Sequence, residues 1–123
     1  MREILFRGKR IDNEVWVEGD LIHSPDGRVA ISTDNDLLEV QSVTVCQYTG
    51  LSDRNGRKIF EGDILKLMYE DEESFYVVFW DEENAMWKIR ATDVESADDM
   101  GCWNPAEWEA IGNIFDNPEP VSG

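Results

Sequence analysis

Turn signals recur about every ten residues along this chain, and the stretches between them alternate apolar and polar side chains. No other feature narrows the fold as far. "NEVWVEGDLIH" sets Val15, Val17 and Leu21 on one side of an extended segment. Ser24-Pro25-Asp26-Gly27 follows, with Pro preset for the second turn position and Gly free to take positive φ. "RVAIS" then returns, which predicts a hairpin. Asp34-Asn35-Asp36 marks another turn, and "LLEVQSVTVCQYTG" another extended run. Asn55-Gly56 stands between two short runs as a strong two-residue hairpin signal. "DILKLMY", "FYVVFW", "MWKIRA" and "EWEAIGNIF" complete the expected strands, separated by charged turns.

Helix signals are short. "ATDVESADDMG" offers one turn, with Thr92 or Asp93 to cap it and Gly101 to end it, and "NPAEW" offers another, opened by Pro105. Neither reaches the roughly ten residues of an ordinary helix. Many short strands with frequent Gly turns predict an all-β barrel or sandwich. At 123 residues and 41% hydrophobic, the chain suits one domain, or two small lobes sharing a core.

The phrase Glu-Gly-Asp occurs twice, in "VWVEGDLI" (15–22) and "KIFEGDIL" (58–65). In both places apolar residues run into it and out of it. The structural expectation is a tight turn or bulge at Gly19 and Gly62, with Asp20 and Asp63 accepting nearby backbone N–H groups. The chemical alternative gathers Glu18, Asp20, Glu61 and Asp63 into a carboxylate cluster for a divalent metal or for acid–base work.

Charge is distributed unevenly. Residues 1–66 carry 12 acidic and 9 basic side chains, a net of −3, whereas 67–123 carry 15 acidic and 2 basic, a net of −13. Nucleic-acid affinity rests on Lys and Arg displacing counterions, so the C-terminal half argues against that partner. The remaining basic candidates are Arg2, Arg7, Lys9, Arg10, Arg54, Arg57 and Lys58. Two cysteines without a CxxC, and His23 as the sole histidine, make no zinc pattern and no disulfide framework. Cys46, in an apolar strand, is expected in the core. No calcium loop or phosphate loop is present: Asp34-Asn35-Asp36 lacks the Gly and Glu that a calcium loop needs further on. No run approaches the roughly 20 apolar residues of a membrane span, and the expected location is cytoplasmic, away from membranes.

Two acidic runs, Glu70, Asp71, Glu72, Glu73 and Asp81, Glu82, Glu83, lie at the two ends of "FYVVFW". Charged turns of this kind keep β-proteins soluble and guard their edges. They also form a candidate interaction surface for a basic protein, by electrostatic steering. Trp80 and Trp87 are placed to pair across a hairpin, and Trp16 falls in the N-terminal part. Trp103 and Trp108, in an acidic stretch, are candidate partner anchors or core lids.

"QYTGLSDRNGRKIFEGDIL" (47–65) and "IGNIFDNPE" (111–119), with the N-terminal "REILFRGKR", resemble the YopX family of small phage and prophage proteins. The resemblance spans nearly the whole chain and departs mainly at "VESADDMGCWNPAE". It implies an all-β fold with little helix: a lobe of β-hairpins over 1–56, an SH3-like barrel over 57–118 and a disordered tail over 119–123. It implies no enzymatic activity, no catalytic residues and no cofactor. The expectation is an intracellular, phage-derived, non-catalytic interaction protein that binds a basic host or phage protein and assembles as a homo-oligomer. The rivals are a nucleic-acid-binding SH3-like module and a metal-dependent hydrolase.

Overall fold

The computed structural model describes residues 4–92, 97–99 and 107–116. Its strands, in chain order, are β1 (Phe6–Lys9), β2 (Trp16–His23), β3 (Val29–Ser32), β4 (Leu37–Val40), β5 (Cys46–Ser52), β6 (Lys58–Phe60), β7 (Asp63–Tyr69), β8 (Glu72–Asp81), β9 (Met86–Ala91), β10 (Ala97–Asp99) and β11 (Trp108–Asn113). Apart from a 3-10 turn at Ser42–Thr44, no helix occurs among the described residues. The all-β expectation holds. Ala97–Asp99, read as part of a helical turn, instead pair with β9 as a short strand. Ala91 ends β9, Glu107 takes 3-10 geometry and Trp108 opens β11; residues 93–96 and 100–106 of the two helix signals, and the tail over 119–123, lie outside the described residues.

The chain divides into two compact units, Met1–Gly50 and Leu51–Gly123. β5 crosses the division and is hydrogen-bonded to both β1 and β6.

In the first unit the strands run β4-β3-β2-β1-β5. Local turn chemistry sets the hairpins. Gly27 takes φ 93° and its N–H donates to the Ser24 carbonyl at 3.0 Å, as the Pro-Asp-Gly pattern requires. Thr33 N–H donates to the Asp36 carbonyl at 2.8 Å and closes the next turn. β4 then returns to the end of β1. Arg10 bridges Val40, Gln41 N–H donates to the Lys9 carbonyl at 2.8 Å, and Ile11 N–H to the Glu39 carbonyl at 3.2 Å. The four strands thereby close on themselves around Val29, Ile31 and Val40, with Phe6, Val17, Leu21 and Val45 packed against them. Each such aliphatic side chain contributes about 1.5–3 kcal/mol on burial.

In the second unit the sheet order is β10-β9-β8-β7-β11. One face carries the core: Leu65 and Leu67, Val78, Ile89, Trp108 and Ala110, joined by Ile59. The alternation of period two that marked these strands is what gathers them there. The Asn55-Gly56 turn is wider than a two-residue hairpin. β5 stops at Ser52 and β6 starts at Lys58, and Gly56 alone in the loop takes positive φ.

Asp53 is the cause. Its carboxylate is 5% exposed. Oδ1 accepts the N–H groups of Asn55 and Arg57, both at 2.9 Å, and Oδ2 accepts that of Ala110 at 2.9 Å. Arg54 N–H donates to the Trp108 carbonyl at 2.9 Å, and Arg57 Nη1 to the Ala110 carbonyl at 3.2 Å. The loop is thus fastened along the outer edge of β11, and it belongs to the second unit. Burial raises the Asp53 pKa, but the donations from Ala110, Arg57 and Asn55 and the Arg57 charge outweigh it, so the carboxyl sits below its ordinary value.

The repeated phrase does two different jobs. Gly62 takes φ 84°, donates its N–H to the Val78 carbonyl at 2.9 Å and accepts from Ile114 N–H at 2.9 Å. Asp63 is buried, and its Oδ2 accepts Phe60 N–H at 2.8 Å. Here the turn expectation holds. Gly19, by contrast, lies inside β2 without positive φ. A Cβ there would overlap the Ser32 carbonyl oxygen of β3, so the residue is fixed by close backbone approach rather than by a turn. Asp20 stays exposed.

Gly19→Ala is expected to destabilise the protein by about 2–3 kcal/mol through overpacking against backbone, and Gly62→Ala by about 1 kcal/mol through its left-handed φ. Urea titration of both variants checks the order; a Gly62→Ala loss exceeding that of Gly19→Ala would contradict it. Asp53→Asn turns one of the two accepting oxygens into an amide donor and removes the charge, and is expected to cost about 3 kcal/mol at pH 7. The folded pKa lies below the unfolded value of about 3.9. The contribution is therefore complete above that pH and is lost as pH falls toward the folded value. The gap between wild type and Asp53→Asn should narrow when denaturation is repeated near pH 3. An equal gap at both pH values refutes the charge-based account.

Candidate functional site

The acidic runs fall on the two hairpins that flank β8. Strand β8 has ten residues, which at about 3.3 Å per residue separates its ends by roughly 30 Å. The two runs therefore form two tips and not one continuous face. Each tip has its own chemistry.

At the β7–β8 tip, Tyr69 pairs with Glu72, leaving Glu70 and Asp71 as the two turn residues. Their φ angles are 50° and 67°. A two-residue turn of this hand matches the sheet twist, but it favours Asn-Gly; two acidic residues with a Cβ are held there against a local penalty. Glu70, Asp71, Glu72 and Glu73 are all exposed. Glu73 Oε1 lies 3.9 Å from Lys66 Nζ, which also lies 3.7 Å from Glu109 Oε2. Among the described residues Glu70, Asp71 and Glu72 make no ion pair. Beside the tip, Met68 pairs with Glu73 and is 45% exposed.

At the β8–β9 tip, Asp81 turns inward. Its Oδ2 lies 2.7 Å from Lys88 Nζ and accepts Asn84 Nδ2–H at 2.8 Å, while Oδ1 accepts Glu83 N–H at 3.0 Å. The Lys88 ammonium first, then Asn84, pulls its pKa down to about 2. Asp81 is therefore the residue that builds its own turn, and only Glu82 and Glu83 remain as exposed acids there. Trp80 and Trp87 pair directly across this hairpin, with ring centroids 4.9 Å apart in an edge-to-face arrangement.

The tryptophans in the acidic stretch separate. Trp108 is 1% exposed, on the core face of β11 opposite Leu67. It is a core residue and leaves the candidate interaction surface, because strand alternation turns it inward although its neighbours Glu107 and Glu109 are acidic. Trp103 lies outside the described residues.

Glu18 and Asp20 are exposed on β2, whereas Asp63 is buried as the partner of Phe60 N–H. Among the described residues no three His, Cys, Asp or Glu side chains are placed to hold a metal ion. His23 ends β2 at the hairpin and is exposed; Cys46 is buried in the first unit.

One group escaped the sequence reading. Trp16 has the Arg7 guanidinium 4.8 Å from its ring centroid and Lys9 Nζ 5.5 Å from it. The signal was the i, i+2 spacing of Arg7 and Lys9 in a strand, which sets both on one face opposite Trp16 and Glu18.

The described residues form two antiparallel all-β units joined through β5. The family described as YopX protein matches residues 5–121, and the chain belongs to the YopX family. No curated protein matches it. Among solved structures, protein yopX from Bacillus subtilis is similar, with 19% identity and a TM-score of 0.63, covering 99% of this chain and 100% of that one. Protein EF1440 from Enterococcus faecalis is similar too, with 18% identity and a TM-score of 0.60, covering 99% and 100%. At these identities the likeness shows the shared all-β fold. No helix of the described residues is long and apolar enough to cross a membrane.

Replacing Asp71 by Gly relieves one left-handed residue and should raise stability by about 1 kcal/mol. Thermal melting checks it; an unchanged or lower melting temperature would mean that the tip is not strained.

Proposed function

We propose that this chain is a phage-derived, non-catalytic, intracellular interaction module whose β7–β8 tip docks onto a basic surface of a host or phage protein. The carrying observation is the tip itself: four consecutive exposed carboxylates, of which only Glu73 is ion-paired among the described residues, on a turn where Glu70 and Asp71 take φ of 50° and 67°. Backbone strain of this kind persists where something other than stability selects the residues. Both backbone strain and charge repulsion would be relieved by Asn-Gly, the usual choice for such a turn. The strands on either side hold the acids in fixed register, which lowers the entropy lost on docking. Met68 adds an apolar contact beside them. The cations on the sheet face below are already engaged: Lys66 by Glu73 and Glu109, Lys88 by Asp81, and Arg90 over the Phe79 ring.

Affinity capture from host lysate tests this, with wild type beside the quadruple variant Glu70→Gln, Asp71→Asn, Glu72→Gln and Glu73→Gln. Wild type should retain a basic protein at low salt, release it as salt rises, and lose it in the variant. Equal retention by both proteins overturns the reading. Retention of nucleic acid instead, reduced by Arg7→Gln and Lys9→Gln, would favour the rival reading on Trp16.

A further inference from the structure

The loop that Asp53 fastens to β11 also carries the one Asn-Gly step of the sequence, Asn55-Gly56. Asparagine is chemically labile where the backbone nitrogen of the next residue can reach its side-chain carbonyl carbon. Three conditions favour that attack: a side-chain amide with no competing partner, a following residue without a Cβ, and access for water. Among the described asparagines, Asn55 alone meets all three. It is exposed, its backbone N–H is given to Asp53 Oδ1, and its side chain makes no hydrogen bond among the described residues. Gly56 is exposed too, and a Cβ built on it would meet nothing within 4 Å. Elsewhere, Asn13 Oδ1 accepts Val15 N–H at 3.0 Å, Asn84 Nδ2 donates to Asp81 at 2.8 Å, and Asn113 Oδ1 accepts Phe115 N–H at 3.0 Å. Their successors, Glu14, Ala85 and Ile114, all carry a Cβ. Asn35 is exposed, but Asp36 follows it and gives its N–H to Thr33 Oγ1 at 3.1 Å.

We propose that Asn55 is a site of spontaneous deamidation, and that its conversion unfastens the Asp53 loop from β11. The Gly56 nitrogen loses its proton and bonds to Asn55 Cγ. The Cγ–Nδ2 bond breaks, and the side-chain amide leaves as ammonia. Water then opens the cyclic imide at one carbonyl or the other. One product is aspartate; the other is isoaspartate, whose chain runs on through Cγ and is longer by one carbon. The sequence consumes a water, releases an ammonia and changes no oxidation state.

The fold both gates this reaction and answers to its result. Gly56 N–H is given to the Asp53 carbonyl at 3.0 Å, and Asp53 N–H to the Arg57 carbonyl at 2.8 Å, so the attacking nitrogen is held until the turn opens. Asn55 N–H and Arg57 N–H converge on Asp53 Oδ1, each at 2.9 Å, and this convergence depends on the ordinary backbone length between them. An added carbon separates them. The new carboxylate also stands two residues from that of Asp53, and like charges repel. Ala110 N–H, held by Asp53 Oδ2 at 2.9 Å, is the bond on β11 that loosens with the loop. The site stands independently of the β7–β8 tip.

The test is storage of the full chain near pH 8 and about 37 °C, with peptide mapping by mass spectrometry and hydrogen exchange at the Ala110 amide. A gain of about 1 Da is expected in the peptide that holds Asn55, at least about tenfold faster than at Asn13, Asn35, Asn84 or Asn113. Isoaspartate should be among the products. Asn55→Gln would need a larger ring and should show no gain; its melting curve establishes that it is folded. Asp53→Ala frees the turn and should speed the gain about threefold or more. Exchange at Ala110 should quicken about tenfold in converted wild type and stay unchanged in Asn55→Gln stored alongside. Four results overturn the proposal: no gain at Asn55, equal gains at all asparagines, an unchanged rate in Asp53→Ala, or unchanged Ala110 exchange after conversion.

Discussion

The second unit depends on a single buried carboxylate. Asp53 draws three backbone donors onto two oxygens and so joins a loop to a strand 57 positions away in the chain. Without it, Ala110 N–H would be buried with no acceptor, and the outer edge of β11 would lack its cover. An ionised acceptor is suited to the task because bonds to charge are about twice as strong as neutral ones, and their sum more than offsets the burial. The neighbouring contacts of Arg54 and Arg57 with Trp108 and Ala110 depend on the same placement.

This join also ties together the two strings that carry the resemblance to the family. "QYTGLSDRNGRKIFEGDIL" contains Asp53, Gly62 and Asp63; "IGNIFDNPE" begins just past Ala110 and contains Asn113, which accepts Phe115 N–H at 3.0 Å and Asp116 N–H at 2.9 Å. The Gly62 carbonyl accepts from Ile114. Residues that stood out as a signature are those that tie one end of the unit to the other. Their roles in this chain are structural.

The hairpins were legible in the sequence because their causes are local. Pro-Asp-Gly and Asp-Asn-Asp each specify a turn within four residues, and Trp80 and Trp87 followed from counting back from the turn between them. What was not legible depends on distant neighbours. Nothing near Gly19 distinguishes it from Gly62; only the Ser32 carbonyl, brought alongside by β3, makes it a packing glycine. The Asn55-Gly56 turn widened because Asp53 answered to β11. Trp108 could be read as a partner anchor or as a core lid, and only strand alternation opposite Leu67 decides for the core. The acidic tips were visible as runs of charge, but their separation depended on knowing that β8 is a single straight run.

The position of β11 has a consequence for how the chain is made. A ribosome delivers β7, β8 and β9 well before residues 108–113, so the outer edge of β7 and the Asp53 loop wait without their partner. During that interval the nascent second unit presents an unpaired strand edge and an uncapped carboxylate. The first unit, whose strands close on one another within the first fifty residues, is complete by then. Synthesis therefore yields a finished half followed by an open one, and the acids at 70–73, already emerged, place like charge beside the strand that would otherwise invite another chain.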